Sequence, residues 1–258
     1  MNNKAKTKII LVIIVFVLLA MSNNFTPHNP VKQNLSIRLQ PSSKEYPFGT
    51  DTLGRCVLSR VLAGGKLTIG IVILSSTMVL ILGTVFGLIN GLYSGKLEIV
   101  FESIINMFTA LPPIIYILVF VGIWGGGAFT MILSLTLSNW ARVAKLVKAK
   151  VDIEKNKAYV FCAITSGASR NRLIFVHILP NCIREILVFM SLICADMIIL
   201  IASFSFIGIG LGSDTVNWGQ MIAEGRSKVR IRPDIILYPA ITIFLSTFLF
   251  NYIGKETD

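Results

Sequence analysis

Histidine occurs only twice in this chain of 258 residues, cysteine four times, and charged residues make up just 14%. Each scarcity removes a class of chemistry. His28 and His177 lie too far apart in sequence, and in separate segments, to suggest a shared metal site. Cys56, Cys162, Cys182 and Cys194 show no C-x-x-C spacing and fall in different segments, which indicates neither a disulfide framework nor a zinc site. No pair of carboxylates, Ser-His-Asp set or Walker sequence is present, so the chain has no evident means of hydrolysing a nucleotide and no cofactor of its own is expected. The glycine-rich stretch Gly208-Ile209-Gly210-Leu211-Gly212 lacks the GK[ST] ending of a phosphate loop and closes an apolar run.

What is abundant is apolar sequence: 54% of residues are hydrophobic and the mean hydropathy is +0.74. That places the chain in the membrane class, where length counts helices rather than globular cores. A bilayer core needs about 20 mostly apolar residues per helix, because backbone polar groups cannot be left unpaired in lipid. After Lys4, Lys6 and Lys8 comes Ile9 to Met21, read as a retained anchor over 1–22; a signal-peptide core ending at Ala20-Met21-Ser22 is the alternative. Residues 23–66 read as an external loop with an interfacial helix, and 67–254 as a core of five further spans. These are expected at Leu67 to Gly95, in two helices from the uncharged run Ser103 to Ala141 divided at Trp124-Gly125-Gly126-Gly127, at Ile186 to Ser213 and at Ile235 to Gly254. A short tail, 255–258, follows. The fold class predicted is an all-α integral membrane protein of about six transmembrane helices.

The net charge of +11 does not point to nucleic acid, since the basic residues lie between apolar runs, where anionic headgroups and membrane orientation account for them. Their densest group sets the topology. Residues 142–185 hold nine Lys and Arg against Asp152, Glu154 and Glu185, which puts this loop in the cytoplasm. Within its 148–185 portion, Tyr159 to Ile164 can form a short helix that Ser166-Gly167 stops. Ser169 can cap a second helix reaching Ile178, and Pro180 must end or kink it.

Three other features stand out. Gly83, Gly87, Gly91 and Gly95 recur every fourth residue and offer a face for close helix packing, with a partner helix in this chain or in another. Asp196 sits inside an apolar run, either lining a pathway or hydrogen-bonded to a neighbouring helix. In Phe48-Gly49-Thr50-Asp51-Thr52-Leu53-Gly54-Arg55, Thr50 or Asp51 can cap a helix striped by Val57, Leu58, Val61 and Leu62, with Arg55 and Arg60 left polar; it reads as an interfacial guide or as part of an outer docking surface.

The cytoplasmic loop resembles the EAA loop of ABC importer permeases. Phe161-Cys162-Ala163 stands at the EAA position, with Phe161 in place of the acid, followed by Gly167-Ala168-Ser169 and by His177-Ile178-Leu179-Pro180-Asn181. The FGTDTLGR stretch continued by Val57-Leu58-Ser59-Arg60, and Ser205-Phe206-Ile207-Gly208-Ile209-Gly210-Leu211-Gly212 followed by Trp218-Gly219 and Glu224-Gly225-Arg226, narrow the likeness to the dipeptide, oligopeptide and nickel branch. Cys56 replaces that branch's usual aspartate. The resemblance implies a type I importer permease fold with a cytoplasmic coupling helix, in a bacterial inner membrane. It also implies a second homologous permease, two cytoplasmic ABC ATPases that use the ATP, and an extracellular or periplasmic substrate-binding protein. Cargo would be a nickel or metal chelate or a di- or oligopeptide. A stand-alone channel or secondary transporter is the alternative, which predicts charged or broken helices paired across an internal repeat; a membrane anchor for a signalling complex would not need the proline-ended loop.

Overall fold

Backbone inside a bilayer must satisfy its own hydrogen bonds, and the apolar runs are accordingly helical. The computed structural model describes residues 26–212 and 215–255; the expected anchor over 1–22 and the tail beyond Lys255 lie outside the described residues. The helices are α1 (Val57–Leu92), α2 (Lys96–Ala110), α3 (Pro113–Trp124), α4 (Ala128–Glu154), α5 (Ala158–Thr165), α6 (Arg170–Phe206), α7 (Trp218–Gly225) and α8 (Asp234–Lys255). The fold is the expected all-α one. Three of these helices, α1, α6 and α8, are long and apolar enough to cross a membrane, and α2 with α3 makes a fourth if the pair counts as one broken span.

Two breaks in the chain fall elsewhere than the sequence reading puts them. The uncharged run from 103 to 141 is broken twice, at the glycines and again at Leu111-Pro112, where α2 and α3 meet at 80°. Pro112 and Pro113 supply no backbone donors, and Pro113 opens α3, the position where that loss costs nothing. The Tyr116 hydroxyl donates to the Phe108 carbonyl at 2.9 Å across the bend. Secondly, α1 does not begin at Leu67 after a separate interfacial helix but runs without a break from Val57. Neither Thr50 nor Asp51 caps it; Cys56 holds the cap position without a side-chain bond, while Asp51 accepts from the Leu53 and Arg55 backbone N–H groups.

The longest helix contact is α1 against α4. Among the residues of α1 that meet α4 are Gly83, Gly87 and Gly91, each beneath a valine: a Cβ built on them would lie 2.6, 2.6 and 2.8 Å from the Cβ atoms of Val143, Val147 and Val151. Three glycines and three valines, both at four-residue spacing, thus let the two backbones approach more closely than any larger residue allows. Gly95, the fourth member of the series, lies past the helix and precedes α2.

The far end from residues 142–185, called here the loop end, is closed by side chains that the motifs supply. Buried Trp218 donates its indole N–H to the Val61 carbonyl at 2.8 Å, and the Gly127 N–H donates to the Gly210 carbonyl at 2.6 Å. Phe48 stacks on Tyr238 at 4.0 Å, and Arg232 donates to the Leu39 and Gln40 carbonyls. Arg60, expected to stay at the polar surface, is buried: it pairs with Asp51 and, at 2.9 Å, with Glu224, while Arg55 bonds the same two acids. Burial alone would raise the Asp51 carboxyl, but Arg60, the Arg55 backbone N–H and the Arg55 charge hold it below the ordinary aspartate range.

The glycine seam predicts an asymmetry. Gly87→Ala drives a Cβ to 2.6 Å from Val147 and 2.7 Å from the Ala144 carbonyl, and should destabilise the detergent-solubilised protein by about 1–3 kcal/mol. Gly122→Ala, with nothing within 4 Å, should leave the thermal midpoint in place or raise it slightly. Equal midpoints for the two variants would remove the seam from the stability argument.

Candidate functional site

The elbow between α4 and α6 is built from local rules. Helix α5 ends at Ser166, the chain reverses through Gly167 at φ +78°, and the Ala168 N–H returns to the Ala163 carbonyl at 3.0 Å. That left-handed conformation is open to glycine and strained for a β-branched residue. Ser169 then caps the next helix, its hydroxyl accepting from the Arg172 N–H. Of the two outcomes expected of Pro180, ending or kinking that helix, the first does not occur. Residues Leu173–Ile178 form a π-helical stretch and Pro180 falls in the first turn of the α-helix beyond it, so the widened turn takes up the missing donor without a break.

The elbow is fastened at its base. Val160, Ile178 and Cys182 are buried. Glu154, at the end of α4, accepts from the Lys157 ammonium and the Tyr159 hydroxyl, both at 2.5 Å, and Asn181 donates to Tyr159 at 3.0 Å and to the His177 carbonyl at 2.6 Å. Lys155 donates to the Gly91 carbonyl at 2.9 Å, capping the end of α1 with a cation, and the Arg170 guanidinium lies 4.0 Å over the Tyr93 ring. Burial and the bond to Glu154 push the Tyr159 hydroxyl up to about 12. Burial alone would raise Glu154, yet its bonds from Lys157 and Tyr159 hold it below the ordinary glutamate range.

The same segment presents an apolar outer face. Phe161 is 54% exposed, Ile164 50%, Phe175 64% and Val176 58%, and Cys162, Gly167, Ser169 and Pro180 are exposed beside them. Ala163, Ala168 and Leu179 are half-buried.

Asp196 is on the exposed side of α6, with its Oδ2 3.7 Å from the Arg142 Nη1 on α4; the two side chains are 55% and 41% exposed. Arg142 also donates to the Asn139 side chain at 3.2 Å and lies 5.9 Å from the Phe189 ring. Asp196 is ten residues short of the end of α6, which puts it about 15 Å along the helix. At such depth an ionised side chain facing lipid costs about 3 kcal/mol, so this face meets water or protein. The sequence reading singled out Asp196 and missed Arg142, whose place at the edge of a basic loop disguised it.

Membrane-length helices around a glycine seam, with a fastened but projecting elbow at one end, make up a helical multi-pass membrane protein. A family model described as "Binding-protein-dependent transport system inner membrane component" matches residues 83–255, and the chain belongs to that family. The oligopeptide transport system permease protein OppC of Bacillus subtilis is 29% identical over 98% of this chain and 83% of its own length. The nickel transport system permease protein NikC of Escherichia coli K12 is 30% identical over 95% of this chain and 89% of its own. Among solved structures, a chain of the MetNI methionine ABC transporter in inward-facing conformations shares the fold at a TM-score of 0.63 and 15% identity, covering 78% of this chain and 97% of that one. The protein is therefore a multi-pass permease subunit of an ABC importer.

A depressed Glu154 carboxyl contributes stability that is complete above the unfolded value, about 4.3, and is lost as the pH falls through the lower folded value. Hydrogen-exchange protection over residues 158–181, corrected for intrinsic rate, should hold from neutrality and drop in acid below about pH 4. Glu154→Gln should show reduced protection already at pH 7. Protection in that variant matching the native protein would show that the Glu154 brace does not hold the elbow.

Proposed function

We propose that this chain forms half of the translocation path of an ATP-driven importer in the bacterial cytoplasmic membrane. It works with a second, related permease, two cytoplasmic ATPases and an external binding protein. The ATPases hydrolyse the ATP, and this subunit moves in response. Its elbow, around Phe161, Cys162, Ala163, Gly167, Ala168 and Ser169, seats in a groove of one ATPase, and closure of the ATPase pair displaces the elbow as a rigid body.

One observation carries this reading: the elbow is tied to α1, α4 and α6 at its root while two phenylalanines, an isoleucine and a valine point outward from it. A tied root transmits force, and an exposed apolar face at a polar end of the molecule requires a partner. Because Phe161 stands where the family has an acid, the contact at that position is apolar packing rather than an ion pair. The relatives are named for oligopeptides, dipeptides, nickel and glutathione. The cargo proposed for this chain is accordingly a short peptide or a small metal chelate, delivered by the binding protein.

Cys162 provides a native handle. A bifunctional maleimide should join it to an ATPase subunit in membranes carrying the whole transporter, and failure of every elbow position to capture such a subunit would end the proposal. Gly167→Val should insert normally yet lose most ATP-driven uptake, because no other atom crowds the position and only the turn is strained. Normal uptake by that variant would separate the turn from coupling.

A further inference from the structure

A groove of about 500 Å³ opens where the end of α1 meets the elbow. Leu92, Val160, Leu173 and Ile178 give it an apolar wall, and its only charged lining residues are two bases, Lys155 and Arg170. Phe161 and Ile164 also line it, while Phe175 and Val176 of the elbow's outer face do not. The groove lies at the edge of the bilayer. No charge occurs from Leu67 to Gly95, so Leu92 is in the last turn of an uncharged span and Tyr93, another lining residue, stands at headgroup level, where tyrosine is favoured.

An apolar track leads from the groove into the membrane. Leu74, Met78, Ile81 and Val85 are exposed and recur, together with Leu92, on one narrow face of α1. From Ile81 to Leu92 the helix rises about 16 Å, the depth of one leaflet.

The bases at the head of the track keep donors to offer. Lys155 uses two, on the Gly91 carbonyl and on Asp152 at 2.6 Å, which leaves a third. Arg170 is held over Tyr93, and its bond to the Leu92 carbonyl is long, at 3.5 Å. It pairs with no acid among the described residues, and a guanidinium over a ring keeps its in-plane N–H groups available. Two cations without a lining acid, next to an apolar face one leaflet deep, match a phosphate joined to an acyl chain. A free phosphate leaves the track uncovered, and a zwitterionic headgroup brings its own cation against both bases.

We propose that this groove holds an anionic phospholipid of the cytoplasmic leaflet. Its phosphate meets Arg170 and Lys155, and one acyl chain follows Leu92, Val85 and Ile81 along α1. The lipid thereby joins α1 to the elbow beside the bond from Lys155 to Gly91. Such a site depends on the membrane setting of the elbow and not on its contact with an ATPase.

The test uses the full chain in nanodiscs of dioleoylphosphatidylcholine with a trace of phosphatidylglycerol carrying a photoreactive acyl chain. Irradiation should place adducts between Ile81 and Leu92 or on Leu173–Ile178, and unlabelled phosphatidylglycerol should displace the probe about tenfold better than phosphatidylethanolamine. Arg170→Gln should cut capture about fivefold. Arg170→Lys should keep at least half of it, and Lys145→Gln, which removes an exposed base of α4 outside the groove, should leave it unchanged. Equal displacement by the two lipids, adducts confined to other segments, or the same loss in Lys145→Gln as in Arg170→Gln overturns the site. Displacement by soluble glycerol phosphate as readily as by phosphatidylglycerol assigns the groove to a free phosphate, and loss of capture when ATPase subunits are bound assigns it to a protein contact. Either result overturns the lipid.

Discussion

The close approach of α1 to α4 is the constraint on which the rest depends. It exists because Gly83, Gly87 and Gly91 present no side chain to Val143, Val147 and Val151. In lipid, apolar side chains gain nothing by leaving one apolar solvent for another, so contact distance and packing decide which helices associate. Once the seam is set, α4 has a fixed axis, and everything attached to α4 inherits it. That includes Arg142 part-way along, Glu154 at the end and, through Glu154 and Lys155, the root of the elbow.

The two ends of the bundle are held by different electrostatics. At the loop end, Asp51, Arg55, Arg60 and Glu224 form a network with Arg60 and Asp51 shielded from solvent, joining the segment before α1 to α7. Breaking such a cluster leaves an uncompensated buried charge, which is strongly unfavourable. At the elbow end the ties are single cations on carbonyls, a guanidinium over a ring and one carboxylate with two donors, nearer to solvent. The cations at the loop end are therefore more deeply buried than those at the elbow end.

Much of this was legible from residue order because it is local. Apolar runs, the Gly167 turn, the Ser169 cap and the glycine spacing each depend on neighbours within a few positions. The break at Pro112-Pro113 was written just as plainly, but the absence of charge from Ser103 to Ala141 drew attention to the glycines alone. Arg55 and Arg60 made the stretch before Leu67 look interfacial, and only the fold shows Arg60 meeting Glu224, 164 residues away. The same holds for Asp196 and Arg142: spacing along one helix can show that an acid needs a counterion, and cannot say which base on which other helix supplies it.

The π-helical stretch at Leu173–Ile178 also resets the phase of α6. A turn closed five residues on rather than four contains one surplus residue, and each residue of an α-helix accounts for about 100° of azimuth. A helical-wheel projection drawn from Arg170 straight through to Phe206 therefore rotates by about that angle at the stretch. Faces assigned at Phe175 or Val176 do not continue to Asp196, and the wheel has to be started afresh at Leu179.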